Sequence, residues 1–346
     1  MINKKLSFII IITIIIFWFM FLVLIPYNID SKNHKTVLNG FTMGTTYEVK
    51  IESNISKKNI IRIQGSIDSI LLSVNKSMST YVKDSEISFI NNNLNKNNDV
   101  CYSLSTDFFD VLLMADKYYN STKGAFDPTI MPLMKLWGFR GDRFHTIPSD
   151  SSIDSILNHV GFDLLVINKD DKCVFFNSNE VTLDFGAIAK GFAVDKISDF
   201  LLSLGLRNHY VEIGGEIICK GREWNISIAY PEFNSIKSIN SVKLKDMSIA
   251  TSGTYNQFFE IDKFEYSHIF DSRLGKPVKN NIISVSVIST KSIDSDALAT
   301  SLKVIGVKKG LELINNIENT ESLFITKENG DFKSYYSKNF LSFVID

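Results

Sequence analysis

Arginine is scarce: only Arg62, Arg140, Arg143, Arg207, Arg222 and Arg273 stand among 37 basic residues. A planar fork that grips phosphate at two points is therefore available in few places, and a phosphate site has to draw on backbone amides, lysine or a metal ion. Net charge is lacking as well. At −1 the chain has no basic excess of the kind that drives binding to a phosphate backbone, which argues against a nucleic-acid partner. Cysteine is limited to Cys101, Cys173 and Cys219, an odd number at wide, irregular spacing with no C-x-x-C. That pattern predicts three isolated, part-buried thiols rather than a disulfide framework or a structural zinc site. No Pro- or Gly-rich linker divides the chain. What is present, 346 residues with 45% hydrophobic and 22% charged side chains, excludes a disordered or collagen-like polymer and suffices for one large domain or two modest ones.

One long apolar run stands near the N-terminus. From Leu6 to Ile25 it is broken only by Ser7 and Thr13, and as a helix it would reach about 30 Å, the thickness of a bilayer core. Lys4 and Lys5 precede it, and short basic flanks stay cytoplasmic. The expected order is a cytoplasmic stub (1–5), a transmembrane signal anchor (6–25), a polar tether (26–36) and a folded unit (37–346) beyond the membrane. The protein is accordingly expected at the inner or cytoplasmic membrane, with its folded unit periplasmic or otherwise extracytoplasmic. A cleaved signal peptide is the alternative, against which stand the length of the run and the Ile25-Pro26-Tyr27-Asn28 that follows it in place of an A-x-A exit. A buried soluble helix is the third reading.

Beyond residue 36 helical and strand patterns alternate without a fixed repeat, which predicts a mixed α and β chain. Thr46 to Ile51 alternates as a half-buried strand, whereas Ile60, Ile63, Ile67, Ile70, Leu71, Val74 and Met78 recur at helical spacing. Further helices are expected over Thr106–Asn120, Ile188–Leu204 (stopped by Gly205) and from Ser295 to about Ile305, with Ala297, Leu298, Ala299, Leu302 and Ile305 inward. Strands are expected over His209–Ile213, Trp224–Ala229, Ser241–Ile249, Phe258–Ile261, Glu265–Phe270 and Ile282–Ser289.

Several short stretches could carry chemistry. Asp296 and Thr300 stand four apart on the last of these helices, so a carboxylate and a hydroxyl share one face. Hard cations such as Mg²⁺ take oxygen ligands of this sort and leave positions for phosphate oxygens, but an N-cap aspartate followed by a back-bonded threonine gives the same spacing. Asp184-Phe-Gly-Ala187-Ile-Ala-Lys190-Gly191 is a glycine-bearing turn from strand to helix, open to close backbone approach by a ligand. It is not a P-loop, and a tight turn with a solvated lysine is the competing reading. Gly124-Ala125-Phe126-Asp127-Pro128 could hold a planar ring or simply pack its aromatic residue in the core. Gly214-Gly215, Thr251 to Tyr255 and His268 to Gly275 each read, alone, as turns.

Taken in order, these stretches resemble the ApbE-type flavin transferases, the FAD:protein FMN transferase family, from about residue 40 to 306. The resemblance is carried by Met43-Gly44-Thr45-Thr46-Tyr47, Ser79-Thr80-Tyr81 before Asp84 and Glu86, Gly124 to Leu133, Asp184 to Asp195, Val211 to Glu216, Ala250 to Tyr255, His268 to Val278 and Asp294 to Thr300. It implies an α+β fold, T-fold-related, of mixed or antiparallel sheets flanked by helices. It also implies a Mg²⁺-dependent enzyme that cleaves FAD, attaches the FMN half through a phosphoester to a Ser or Thr hydroxyl of a target flavoprotein, and releases AMP. Targets would be extracytoplasmic subunits of membrane redox complexes.

By the same resemblance, flavin and adenine contacts fall on Met43, Tyr81, Ala125, Phe126, Asp127, Asp184, Lys190, His268 and Ile269. The metal ligands fall on the main-chain carbonyl of Ala187 and the side chains of Asp296 and Thr300. A base is needed to take the proton of the entering hydroxyl, and His268 and Asp271 are the candidates. Ser272 and Leu274 stand where the family often has proline and threonine, which questions the rigidity of that loop. A membrane-anchored FAD pyrophosphatase, with water in place of the protein hydroxyl, is the nearest alternative function. A non-catalytic flavin-binding protein and an extracellular scaffold are the others.

Overall fold

The computed structural model describes residues 35–93, 100–140, 147–229, 238–253, 258–261 and 264–345. Its centre is an antiparallel eight-stranded sheet whose strands follow one another in chain order: β1 (Lys35–Thr42), β2 (Thr45–Glu52), β3 (His209–Ile213), β4 (Glu216–Lys220), β5 (Met247–Gly253), β6 (Ile282–Ser289), β7 (Glu321–Glu328) and β8 (Asp331–Tyr336). Period-two alternation assigns each face its own core. Val285, Val287 and Phe324 point to a layer of helices, whereas Ile288, Leu323 and Ile325 point to a three-stranded sheet built from Trp224–Ala229, Ser238–Leu244 and Val344–Ile345.

Four helices matter to the site: α1 (Lys57–Met78), α2 (Thr106–Ser121), α3 (Ala189–Ser203) and α4 (Ser292–Ile305). Helix α1 starts at Ser56, whose hydroxyl accepts from the Asn59 amide, and buries Ile60, Ile63, Ile67, Leu71, Val74 and Met78 along one stripe. Helix α4 is enclosed on nearly every side by α3 and the sheet. Its apolar residues Ala297, Leu298, Ala299 and Leu302 are buried as the spacing predicts, and so are Ser295, Ser301 and Lys303. Those polar groups are satisfied internally: Ser295 shares a hydrogen bond with Ser248, Ser301 donates to the Ala297 carbonyl, and Lys303 donates to Asn280 and the Ile282 carbonyl.

The α+β expectation holds, but the membrane helix attached to it does not. Among the described residues no helix is long and apolar enough to cross a membrane, and the Leu6–Ile25 run lies outside them. The anchor, and the membrane location inferred from it, are therefore withdrawn from the account. The cysteine reading is corrected too. Tyr102–Ser103 pairs with Cys173–Phe176, with Ser103 opposite Cys173, and this register brings Cys101 within 5.5 Å of Cys173, Cα to Cα, in a disulfide. Only Cys219 is a free buried thiol. The expected strand Ser241–Ile249 is two strands of different sheets, broken at Asp246, whose φ of 56° turns the chain between them. Glu265–Phe270 likewise divides, into Phe264–Ser267 and Phe270–Asp271.

Candidate functional site

The predicted residues fall into three groups, the first of them at the sheet end where the β1–β2 and β3–β4 hairpins turn. Met43 (φ 49°) and Gly44 make the first turn; Gly214 (φ 59°) and Gly215 (φ 102°) make the second. The two turns touch, because the Gly214 amide donates to the Thr46 carbonyl and a Cβ on Gly214 would lie 2.8 Å from the Thr45 methyl. Glu216 follows at once.

The first group is charged, with Glu216 and Asp296 buried and Lys190 half-buried between them. Lys190, in the first turn of α3, places its ammonium 3.2 Å from Glu216 Oε1 and 3.8 Å from Asp296 Oδ1. It is not the solvated lysine of the alternative reading. Burial works against its charge, but Asp296 and Glu216 outweigh that and hold Lys190 above the usual lysine range. Burial pushes Glu216 up to about 8, with Lys190 opposing and Asp296 adding to it. The raised value reflects the cost of burying a carboxylate, which the Lys190 charge only partly offsets.

Asp296 is not a helix cap. It lies in the second turn of α4, and the first amides of that helix, those of Ser292 and Ile293, donate across to Asp195 of α3 at 2.8 and 2.9 Å. Asp296 Oδ2 instead accepts from the Gly191 amide at 2.9 Å. Gly191 is the third residue of α3, and because the first amides of a helix have no partner within it, this one is free to bind across to α4. The Ala187 carbonyl, which lies just ahead of the helix, accepts no hydrogen bond among the described residues. Thr300, half-buried one turn beyond Asp296, likewise makes no back-bond to the Asp296 carbonyl, although Ser301 does make its own to Ala297. An unsatisfied carbonyl, a carboxylate and a hydroxyl are all oxygen donors, and they suit a hard cation. This donor set holds one carboxylate, and among the described residues there is no group of three or more His, Cys, Asp and Glu side chains placed to hold a metal.

The second group surrounds Asp184. Its amide donates to the Pro128 carbonyl at 2.7 Å, joining this turn to the Asp127 turn; its Oδ1 accepts from Gly186, and its Oδ2 from Arg140 Nη2 at 2.7 Å. The Arg140 guanidinium also lies 4.3 Å from the centre of the Tyr81 ring, which is 81% exposed. Asp127 accepts from the Thr129 amide and hydroxyl, and burial pushes it up to about 6 against those bonds.

The third group is apolar: Ala125, Ile269 and Val304 of α4 pack together, with Phe126 in the main core beside Tyr118. Ser272 donates to the Gly124 carbonyl at 2.8 Å, so the loop that lacks the family's proline is pinned directly to this turn. His268 is half-buried where that loop begins. Asp271 is not drawn into any of the three groups; Arg273 holds both of its oxygens at 2.7 Å. Two open depressions, about 480 Å³ along Ile61, Gly65 and Phe200 and about 430 Å³ along Lys35, Lys50 and Arg222, share none of these residues.

The sequence profile of the ApbE family matches residues 43–324, a span that holds all three groups. The chain belongs to the ApbE family. An FAD:protein FMN transferase of Vibrio cholerae is 35% identical over 313 residues, covering 89% of this chain and 92% of that protein. One of Haemophilus influenzae is 34% identical over 321 residues, covering 88% and 92%. Among solved structures, the flavin transferase ApbE from Vibrio cholerae superposes with a TM-score of 0.79 over 89% of this chain and 99% of that one, at 35% identity. The ApbE protein of Thermotoga maritima does so with a TM-score of 0.78 at 26% identity, over 90% and 100%. The chain is thus an enzyme with the ApbE-like α+β fold.

Sequence reasoning gave no role to Arg140, Asp195 or Glu216. Glu216 ended one of the resembling stretches, and Arg140 stood out only as one of six arginines. What each does depends on a partner far along the chain, Asp184 for Arg140, α4 for Asp195 and Lys190 for Glu216, so no local spacing exposes them.

Proposed function

We propose that this protein is an FAD:protein FMN transferase that attaches FMN to a Ser or Thr hydroxyl of an acceptor protein and releases AMP, with magnesium held by Asp296, Thr300 and the Ala187 carbonyl. The observation that carries the proposal is the Gly191 amide bound to Asp296 Oδ2, which orients that carboxylate while the Ala187 carbonyl, just ahead of the same helix, accepts no hydrogen bond among the described residues. When bound, magnesium supplies neutralisation of charge on the diphosphate. The chain's own residues do the rest. Tyr81, flanked by Arg140, offers an exposed aromatic face for a planar ring. Ala125 and Ile269 form an apolar floor, and the Asp184 turn sets the backbone of 184–190 close to the ligand. Lys190 brings a positive charge to the diphosphate.

In the transfer, the acceptor oxygen bonds to the FMN-side phosphorus while the bond from that phosphorus to the bridging oxygen breaks. AMP leaves with the bridging oxygen. The hydroxyl proton passes to a base, for which His268 and Asp271 are the candidates, the latter with both oxygens held by Arg273.

The test is incubation of the protein with FAD, magnesium and a redox flavoprotein subunit as acceptor, followed by in-gel flavin fluorescence and chromatography of the nucleotides. Covalent fluorescence with equimolar AMP is expected. FMN and AMP in solution with an unlabelled acceptor would instead identify a pyrophosphatase.

A further inference from the structure

We infer that Glu216 is a positioning residue for the cation site: its carboxyl group holds the Lys190 ammonium away from Asp296 and so keeps Asp296 Oδ1 available to a divalent cation. The inference rests on the reading of Asp296 as a metal ligand.

Lys190 faces two acidic groups and stands closer to Glu216, at 3.2 Å, than to Asp296, at 3.8 Å. Asp296 is fixed independently, because its Oδ2 is bound by the Gly191 amide at 2.9 Å. Its remaining oxygen, Oδ1, is therefore the one that points to Lys190, and a cation and an ammonium would contend for it. Glu216 is fixed as well. The Gly214-Gly215 turn, with both φ values positive, swings the chain so that Glu216 begins β4 with its side chain buried to 4% exposure.

Within that buried position the carboxyl does little else. Oε1 meets Lys190, and Oε2, also buried, has no hydrogen-bond partner among the described residues. A buried carboxyl kept with one oxygen unsatisfied is costly unless its remaining contact matters. Among the described residues that contact is the only counterweight to the pull of Asp296 on Lys190. Without it the ammonium has a single acidic neighbour and moves onto Oδ1. Groups just outside a metal's ligands commonly act in this way, and their loss lowers metal affinity by about 10- to 100-fold.

The test is a Mn²⁺ titration of the full-length, flavin-free protein, with free metal read by electron paramagnetic resonance and folding checked by thermal melting. Glu216→Met is expected to raise the Mn²⁺ Kd about tenfold or more. Glu216→Gln, which keeps an acceptor oxygen for Lys190, should raise it much less. The double variant Glu216→Met/Lys190→Met, which removes the competing ammonium too, should return the Kd to within about threefold of wild type. Lys190→Met alone should bind Mn²⁺ at least as tightly as wild type, a measurement that stands even should the Glu216→Met protein not fold. Unchanged affinity in Glu216→Met overturns the inference, as does a double variant as weak as the single one, which would make Glu216 itself a ligand. Weaker binding by Lys190→Met overturns it also. Asp296→Ala separates the two levels: if it leaves Mn²⁺ binding intact, the ligand reading and this inference fall together. If it abolishes binding while the Glu216 series is flat, only the inference falls.

Discussion

Substituting Gly191 by alanine tests the joint on which the site is built. A Cβ at that position would lie 2.4 Å from the Ser292 carbonyl oxygen and 2.8 Å from Asp296 Cβ. Carbon and oxygen tolerate about 3.3 Å at closest, so α3 and α4 must part by roughly 1 Å. Both obstacles are backbone or Cβ, which cannot rotate aside. Overpacking of this kind costs about 1–3 kcal/mol, and for a unit of this size that corresponds to a fall in Tm of roughly 2–10 °C. The same displacement takes the Gly191 amide from 2.9 Å to nearly 4 Å from Asp296 Oδ2, beyond hydrogen-bonding range. Asp296 then loses its fixed orientation. Gly191→Ala is therefore expected to melt lower in calorimetry and, at temperatures where it remains folded, to bind Mn²⁺ at least tenfold more weakly. A variant that melts within about 1 °C of wild type with unchanged Mn²⁺ affinity would refute the argument that close approach of these helices sets the site.

Other outcomes follow from single contacts. Asp195 is pushed up to about 7 by burial, against the amides of Ile293 and Ser292, whereas its ordinary value is 3.8. Its protonated form is thus favoured by folding, and the associated stability is present at low pH and lost as pH rises from about 4 to about 7. Urea unfolding between pH 5 and 7 should show wild type losing stability more steeply than Asp195→Asn; parallel profiles would contradict this. Arg140→Met removes both the Asp184 hydrogen bond and the stack on Tyr81, and should raise the KM for FAD about tenfold while changing kcat little. Arg140→Lys should not restore it, because an ammonium lacks the planar fork. Equal KM values would show that the Tyr81–Arg140–Asp184 group does not meet the flavin nucleotide. The Cys101–Cys173 disulfide closes a 72-residue span, so Cys101→Ala/Cys173→Ala should lower unfolding free energy by up to about 4 kcal/mol in urea, and an unchanged midpoint would contradict this.

Much of the framework was legible because it rests on periodicity. The helical stripe from Ile60 to Met78 and the strands His209–Ile213, Trp224–Ala229 and Ile282–Ser289 appear where side-chain spacing puts them. Spacing fails where one apolar run serves two sheets, as at Asp246, since alternation continues across a turn that a single positive φ makes possible. It fails also for pairings across the chain. Nothing in the positions of Cys101 and Cys173 reveals that Ser103 lies opposite Cys173 in a sheet. At the site, the i, i+4 relation singles out Asp296 and Thr300 as candidates, but a capping aspartate has the same signature. Only the three-dimensional arrangement separates the two, because it is Asp195, 97 residues before Ser292, that caps the helix.

The most direct measurement is anomalous diffraction from crystals grown with FAD and Mn²⁺ in place of magnesium. The account predicts a manganese peak in contact with the Asp296 carboxylate, the Thr300 hydroxyl and the Ala187 carbonyl, with diphosphate oxygens on its open side. A manganese ion bound to the diphosphate but touching none of these three groups, in crystals whose protein still transfers FMN, would contradict it.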